Sequence, residues 1–438
     1  MYFIYNILAV ILVILVLPVF VVRFVREKGI AERVKQSFGV LPAETLVKVA
    51  GKEAIWVHAA SVGEIVAASP IVKEIRRELP GIPIVVSVVT VSGYAMAKRI
   101  IPEADGIIFY PLDLPLLSYS VVAKIRPQAF LMVETEMWPN FLKAVRKFNI
   151  PAMMVNGRIS DKSVNRYIYF GRVLSDMLDT VVTFCMQSNI DAQYITRLGA
   201  DPARVVVTGN TKFDQSYTEL SLEDKTQLLS SLGLSSADQI LVAGSTHRGE
   251  EELLFPAFNE VRAQFPHTQF IVAPREPLRA DALIELAAKF NFVAVRRTSM
   301  PGKLAKNPDM IIVDTIGELG KIYGLGDIVY VGGSLIPHGG HNILEPAAHG
   351  KPILVGPHMF NFKETYALFS ERGVCLTVRD SAGLAEAMLK LLHNPEQRQA
   401  IGQEALRIIN ENRGASHKSA LYLKEILQQK KALINRQQ

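Results

Sequence analysis

The chain has 438 residues, of which 49% are hydrophobic and 21% charged, with a net charge of +6 at neutral pH. That length carries roughly two to three domains at ~150 residues each, and the balance of apolar and charged residues excludes a disordered chain. Two cysteines, Cys185 and Cys375, lie far apart in apolar runs and exclude a disulfide framework or a zinc site built on thiolates. The dispersed Lys and Arg residues exclude a nucleic-acid stripe, while the positive balance suits anionic substrates or anionic lipid.

Residues 1–22 carry no charge and only Asn6 as a strongly polar side chain. As a helix this stretch reaches ~30 Å, about one hydrocarbon core, and predicts a transmembrane anchor. No positive n-region precedes it and no small-x-small site follows it, which argues against a cleaved signal peptide. Arg23, Arg26 and Lys28 come next, so the positive-inside rule sets the body on the cytoplasmic side of the membrane. Tyr2 to Val22 shows no polar face, against a helix lying flat in the interface. Residues 23–50 mix basic and apolar side chains, among them Arg33, Val34, Lys35 and Phe38, and are expected near the headgroups.

A rhythm of short apolar runs separated by helical segments then predicts βαβ units and a parallel sheet. Expected strands are Ile55–His58, Ile84–Val89, Gly106–Tyr110, Ala129–Val133, Ala152–Val155, Thr180–Phe184 and Val205–Val207. Their near-continuous hydrophobicity is that of strands covered on both faces. The rhythm breaks over residues 214–238, with one helical pattern around Glu223 to Leu232. It restarts at Ile240–Ala243, Phe270–Ala273, Phe292–Val295, Met310–Val313, Ile328–Val331, Pro352–Val355 and Val374–Thr377. The expected organisation is an anchor over 1–22, a membrane-proximal segment over 23–50, and a first Rossmann-like domain over 51–213. A linker over 214–238, a second Rossmann-like domain over 239–415 and a basic helix over 416–438 complete it. Doubly wound pairs of this kind commonly bind ligands in the cleft they face, outside the carboxyl ends of the strands.

The chemistry-bearing residues fall at those strand ends. The first strand runs into Ala59-Ala60-Ser61-Val62-Gly63-Glu64, a tight turn opening a helix. There Glu64, favoured by the helix dipole, is expected to stay ionised. It is as readily a plain first-turn Glu as a general base, and its position at a strand end favours the base. The fourth strand ends in Glu134-Thr135-Glu136-Met137-Trp138-Pro139-Asn140, where buried charge must be paired or used. The seventh leads to Gly209-Asn210-Thr211-Lys212, which brings a cation to the domain boundary.

The second half is patterned for phosphate. Gly244-Ser245-Thr246-His247 follows a strand, so backbone N–H groups and the hydroxyls of Ser245 and Thr246 are candidates to hold an anion. Ala273-Pro274-Arg275 ends the next strand with a guanidinium fork suited to phosphate. Asp314-Thr315-Ile316-Gly317-Glu318-Leu319 makes a third such turn. Gly332-Gly333-Ser334 and Gly339-Gly340-His341-Asn342-Ile343-Leu344-Glu345-Pro346 allow close backbone approach to a ligand, with Glu345 able to hold a ribose diol. There is no Walker loop and no G-x-G-x-x-G after a strand. The nine histidines show no metal-ligand spacing, so no metal is expected.

Taken in order, Ala60-Ser61-Val62-Gly63-Glu64, Glu134 to Asn140, Gly209 to Asp214, Ala273-Pro274-Arg275, Gly317-Glu318-Leu319 and Gly339 to Glu345 resemble the 3-deoxy-D-manno-octulosonic acid (Kdo) transferases of lipopolysaccharide synthesis. The resemblance spans essentially the whole chain, including the N-terminal stretch. It implies the GT-B fold and inverting transfer of Kdo from CMP-Kdo to the lipid A precursor lipid IVA, without metal or cofactor. On that resemblance Glu64 is the general base, and Glu134 and Lys212 stabilise the transition state. Pro274, Arg275, Gly317, Glu318, Leu319, Asn342, Ile343, Leu344 and Glu345 match the CMP-contacting segments. One departure is Glu276, where some members carry His. Alternatives are a GT-B transferase using a UDP-sugar, an epimerase of the same fold, and an inactive membrane scaffold that keeps nucleotide binding.

Overall fold

The computed structural model describes residues 2–26, 30–159, 164, 167, 170–215, 217, 220–300 and 308–437. Lys28 and the side chains of residues 16–26 lie outside that description. The chain divides into two compact units, Met1–Gln215 together with Asn412–Gln438, and Ser216–Glu411.

The first unit is built on seven parallel strands: β1 (Ile55–His58), β2 (Ile84–Val88), β3 (Gly106–Phe109), β4 (Ala129–Val133), β5 (Ala152–Gly157), β6 (Val181–Met186) and β7 (Val205–Val207). Their order, β3-β2-β1-β4-β5-β6-β7, reverses direction at β1 and β4, the place where a doubly wound sheet gathers ligands at its carboxyl edge. The expected apolar runs are buried on both faces. Trp56, Phe130, Met132 and Phe184 pack into one layer of helices, while Ile55, Val57, Leu131 and Val155 pack into the other. Trp56 is fully buried, meets Phe141 edge-to-face at 5.0 Å and donates its Nε1–H to Ser87 Oγ at 2.7 Å.

The helix Ala415–Gln437 belongs to this unit and not to the strands that precede it in sequence. Its Ala420, Leu423 and Leu427 are buried in the same cluster as Ala67, Ile71 and Ile75 of the helix Val62–Glu78. Its start is held by Asp214, whose carboxylate accepts from Gly414 N at 2.5 Å and Ser416 N at 2.6 Å.

The N-terminal helix spans Tyr2–Arg26. Among the described residues, no helix is long and apolar enough to cross a membrane. The expectation that this stretch lacks a polar face is corrected. Tyr5 donates to Asp113 Oδ2 at 2.8 Å, and Asn140 Nδ2 donates to Asn6 Oδ1 at 2.8 Å, so its first turns present a polar edge to the domain. Phe3, Leu8, Leu12 and Leu15 remain exposed.

The second unit holds seven further parallel strands: β8 (Gln239–Thr246), β9 (Thr268–Pro274), β10 (Ala294–Arg296), β11 (Met310–Ile312), β12 (Ile328–Val331), β13 (Ile353–Val355) and β14 (Cys375–Thr377). They are ordered β10-β11-β9-β8-β12-β13-β14. The interruption over 214–238 contains the helix Leu222–Ser231, where the helical pattern was expected. Both cysteines are free and buried, and burial pushes each thiol up to about 12.

Candidate functional site

In the first unit the carboxyl ends of β1 and β4 carry the acids. Ser61 caps the helix Val62–Glu78, its Oγ accepting from Glu64 N at 3.3 Å. The Glu64 carboxylate turns back to accept from Ala60 N at 2.7 Å and Ser61 Oγ at 2.7 Å. This is a variant of the S-x-x-E capping box, the carboxylate reaching the N–H one residue before the N-cap, and it fixes the rotamer of Glu64 after the strand end. Burial, then the neighbouring Glu136, push its carboxyl up to about 7, outweighing the two hydrogen bonds that favour charge. The expectation that the helix dipole keeps Glu64 fully ionised is therefore corrected: desolvation and two like charges exceed the dipole.

Glu134 follows β4 at φ 58°, a left-handed conformation rare for a residue other than Gly or Asn. Its backbone N–H is tied to Val155 O at 3.0 Å, and its Oε1 lies 3.4 Å from Lys212 Nζ. Strain at a strand end persists where the surroundings over-determine it, and such residues cluster at functional sites. Lys212 itself is positioned by a single 3-10 turn, Thr211–Asp214, capped by Asn210 and pinned by Thr211 Oγ1 on Ala67 O at 2.8 Å. Asn156, buried at the end of β5, adds a hydrogen bond from Thr211 N to its Oδ1 at 3.0 Å.

Glu136 accepts from Trp138 Nε1 at 2.9 Å and has His58 Nε2 at 3.7 Å. Burial alone would raise its carboxyl, but His58 and Trp138 outweigh it and hold the group below the usual carboxylate range. His58 is fully buried, stacked on Tyr110 at 3.8 Å, with Nδ1 2.9 Å from Ser87 Oγ. The outcome is an acid, Glu64, poised near neutrality beside one, Glu136, held charged, the separation of roles that general-base chemistry needs.

In the second unit the phosphate-patterned segments converge through two acids that sequence reasoning missed. Glu250 is fully buried and accepts five hydrogen bonds. Its donors are His247 N at 2.9 Å, Tyr330 Oη at 2.6 Å, Gly333 N at 2.7 Å, Ser334 N at 3.0 Å and Leu335 N at 3.0 Å. One carboxylate thus ties the loop after β8 to the glycine-rich loop after β12. The signal was present as His247-x-x-Glu250, a backbone-to-N3 capping pattern, but nothing in it told of the second loop. Glu251, also fully buried, takes Arg279 in a two-pronged pair at 2.9 and 3.0 Å.

Thr246 does not stand where an anion-binding hydroxyl is expected. It is buried within β8, and its Oγ1 donates to Glu251 at 2.7 Å. Ser245 sits at φ 55°, and Gly332 must lack a Cβ because one there would strike Ser245 O. Arg275 leaves β9 with its backbone N–H on Thr246 O at 2.9 Å and its side chain exposed. Pro274 is the last residue of β9.

The two remaining donor segments lie side by side. Asn342 Oδ1 accepts from Leu344 N at 3.0 Å, and its Nδ2 donates to Glu345 Oε1 at 3.2 Å. Burial raises the Glu345 carboxyl. A Cβ on Gly320 would lie 3.8 Å from Glu345 Oε2, and His349 Nε2 is 2.7 Å from Gly320 O, which brings the turn Gly317-Glu318-Leu319 against the helix Leu344–Ala348. Glu318 is held by Arg297 at 3.3 Å and by the Thr315 hydroxyl. Ile343 is fully buried. Beside them, His247 Nε2 and His341 Nε2 meet at 2.8 Å. Burial, then His247 and Arg275, hold His341 down to about 4.

Two parallel doubly wound sheets with site residues at their carboxyl edges define the GT-B class of architecture. Solved structures agree. UDP-GlcNAc 2-epimerase from Neisseria meningitidis aligns at TM-score 0.58 and 13% identity over 86% of this chain and 100% of its own. A glycosyltransferase from Rickettsia africae aligns at TM-score 0.56 and 16% identity over 86% of this chain and 98% of its own. At such identities the likeness is one of fold.

Sequence relatives are more specific. A family model described as 3-deoxy-D-manno-octulosonic-acid transferase (kdotransferase) matches residues 32–215. The 3-deoxy-D-manno-octulosonic acid transferase of Haemophilus influenzae is 33% identical over 379 residues, covering 86% of this chain and 88% of that protein. The chain belongs to the 3-deoxy-D-manno-octulosonic acid transferase family.

Proposed function

We propose that this enzyme transfers Kdo from CMP-Kdo to the lipid A precursor with inversion, Glu64 acting as general base. The observation that carries the reading is the Glu64 carboxyl, pushed up to about 7 at the end of β1 in a chain of this family. A base with that pKa is half ionised at neutral pH and takes a hydroxyl proton with useful driving force. In the proposed step the acceptor oxygen bonds to the Kdo anomeric carbon and its proton passes to Glu64. The bond to the CMP phosphate oxygen breaks with its electron pair on the phosphate. Glu134 favours positive charge on the sugar, with Lys212 holding that carboxylate in place at 3.4 Å. Arg275 and the segments at Gly317-Glu318-Leu319 and Asn342 to Glu345 take the CMP.

The acceptor and the N-terminal helix belong to the same proposal. Phe3, Leu8, Leu12 and Leu15 are exposed apolar side chains, which supports a helix in contact with lipid and a catalytic body on the cytoplasmic face of the inner membrane. A soluble donor then meets an acceptor that cannot leave the bilayer.

The test is incubation of the full chain with CMP-Kdo and purified lipid A precursor, followed by mass spectrometry. Product heavier by whole Kdo residues is expected, together with loss of product in Glu64→Gln at nearly unchanged CMP-Kdo binding. Wild-type-like transfer by that variant rules out the base assignment. Binding of UDP-sugars in preference to CMP-Kdo rules out the donor and leaves another GT-B transferase.

A further inference from the structure

Three histidines that sequence spacing keeps apart are gathered by the second unit. His247 leaves β8, while His338 and His341 flank Gly339-Gly340 in the loop after β12. One ring nitrogen from each lies within 4.8 Å of the other two. The His247 and His341 rings are parallel within 2°, with centroids 5.1 Å apart and Nε2 facing Nε2 at 2.8 Å. Two neutral imidazoles facing head-to-head at that distance share a single proton, which leaves one of the nitrogens presenting a lone pair. The His338 ring is exposed and 3.9 Å from that of His247.

We propose that His247, His338 and His341 form a binding site for a borderline divalent transition metal such as Zn²⁺ or Co²⁺. Metal–imidazole bonds of ~2.0–2.1 Å in tetrahedral geometry set the nitrogens about 3.3 Å apart, so the facing pair opens by only about half an ångström. The proton between them moves to Nδ1 of its own ring, so ligation occurs between neutral imidazoles with no net loss of a proton. His338, exposed, swings to complete three ligands and leaves a fourth position open to water, as three-histidine sites do.

The frame behind the ligands is firm. Glu250 holds His247 N at 2.9 Å and Gly333 N at 2.7 Å, so both loops share one anchor. Gly340, at φ 75° and with no room for a Cβ beside Met359, fixes the turn that presents His338 and His341. The buried Glu250 carboxylate favours positive charge at His247, and Arg275 and Arg279 oppose it. With nitrogen ligands only and that mixed charge, the site selects metals that bond imidazole and rejects Mg²⁺ and Ca²⁺, which need oxygen shells. A second cluster, Glu74, Glu78 and His417, lacks this character because Arg77 and Lys424 already pair with its carboxylates, the latter at 3.2 Å.

The experiment is titration of the full-length protein with ZnCl₂ by calorimetry and with CoCl₂ by visible absorption, with no sugar nucleotide present. One-to-one binding, visible bands of four-coordinate Co²⁺ and no heat from MgCl₂ are expected. His338→Ala, at an exposed position outside the donor segments, is expected to weaken Zn²⁺ at least tenfold at unchanged circular dichroism. Unaltered affinity in that variant, loss of affinity in His417→Ala instead, or equal binding of Mg²⁺ overturns the proposal. Because the readout needs no substrate, its failure is separate from failure of the transferase reading.

Discussion

In the proposed reaction Glu64 is the residue on which pH dependence turns. Its carboxyl sits at about 7 in the folded enzyme against 4.5 for an ordinary glutamate. Only the ionised form accepts a proton, so kcat/KM is expected to rise about tenfold per pH unit below about 7 and to level above it, as a pH–rate profile will show. The same shift has a stability consequence. A group whose folded pKa is raised favours folding below its unfolded value and loses that contribution as pH rises through the folded one. Wild type is therefore expected to lose melting temperature between about pH 4.5 and 7 relative to Glu64→Gln, read by thermal scans of both across that window.

Glu250 makes the residue-scale case in the second unit. Its five donors converge on one buried carboxylate, and Glu250→Gln turns one acceptor into a donor facing N–H groups. A buried unsatisfied group of this kind costs about 1–3 kcal/mol, more against a charge. For a unit of this size that is a fall in Tm of roughly 2–12 °C, measurable by calorimetry, with weakened donor binding because both loops lose their common anchor.

At the scale of elements, the strands were legible and their continuations were not. β1, β4, β7 and β12 have the limits that the apolar runs announce. β8 runs on through Thr246, because Thr246 pairs with Pro274 of β9 and its O accepts from Arg275 N at 2.9 Å. A pairing 28 residues away cannot be read from four residues of local pattern. The helix Ala415–Gln437 is similar: its amphipathic pattern is local, but its partner is the helix Val62–Glu78. Leu423→Ala removes a fully buried side chain from that interface and is expected to destabilise the first unit by about 2–5 kcal/mol in urea unfolding.

At the scale of the whole molecule, we propose that the N-terminal helix bears on location more than on chemistry. Asp113 keeps Asn140 N at 3.0 Å and Phe141 N at 2.8 Å when Tyr5 is removed, so its buried carboxylate stays satisfied. Deletion of residues 2–22 is expected to leave transfer onto detergent-dispersed acceptor within severalfold of wild type and to abolish co-sedimentation with vesicles. Loss of activity on dispersed acceptor would instead make the helix part of the acceptor site.

The sequence by itself determined the class: two runs of apolar strands with alternating helices, and acids, a guanidinium and glycine turns at their carboxyl ends. Those signals are local, because burial on both faces of a parallel sheet demands continuous hydrophobicity and a strand-to-helix turn demands small residues. Tertiary structure alone decided the charge state of Glu64, since desolvation and Glu136 act through space and the helix dipole is the weaker effect. It alone revealed Glu250 as the knot between two loops, Thr246 turned inward onto Glu251, and the meeting of His247 with His341 across 94 residues of chain. Each of these depends on which strands become neighbours, and a one-dimensional pattern does not carry that information.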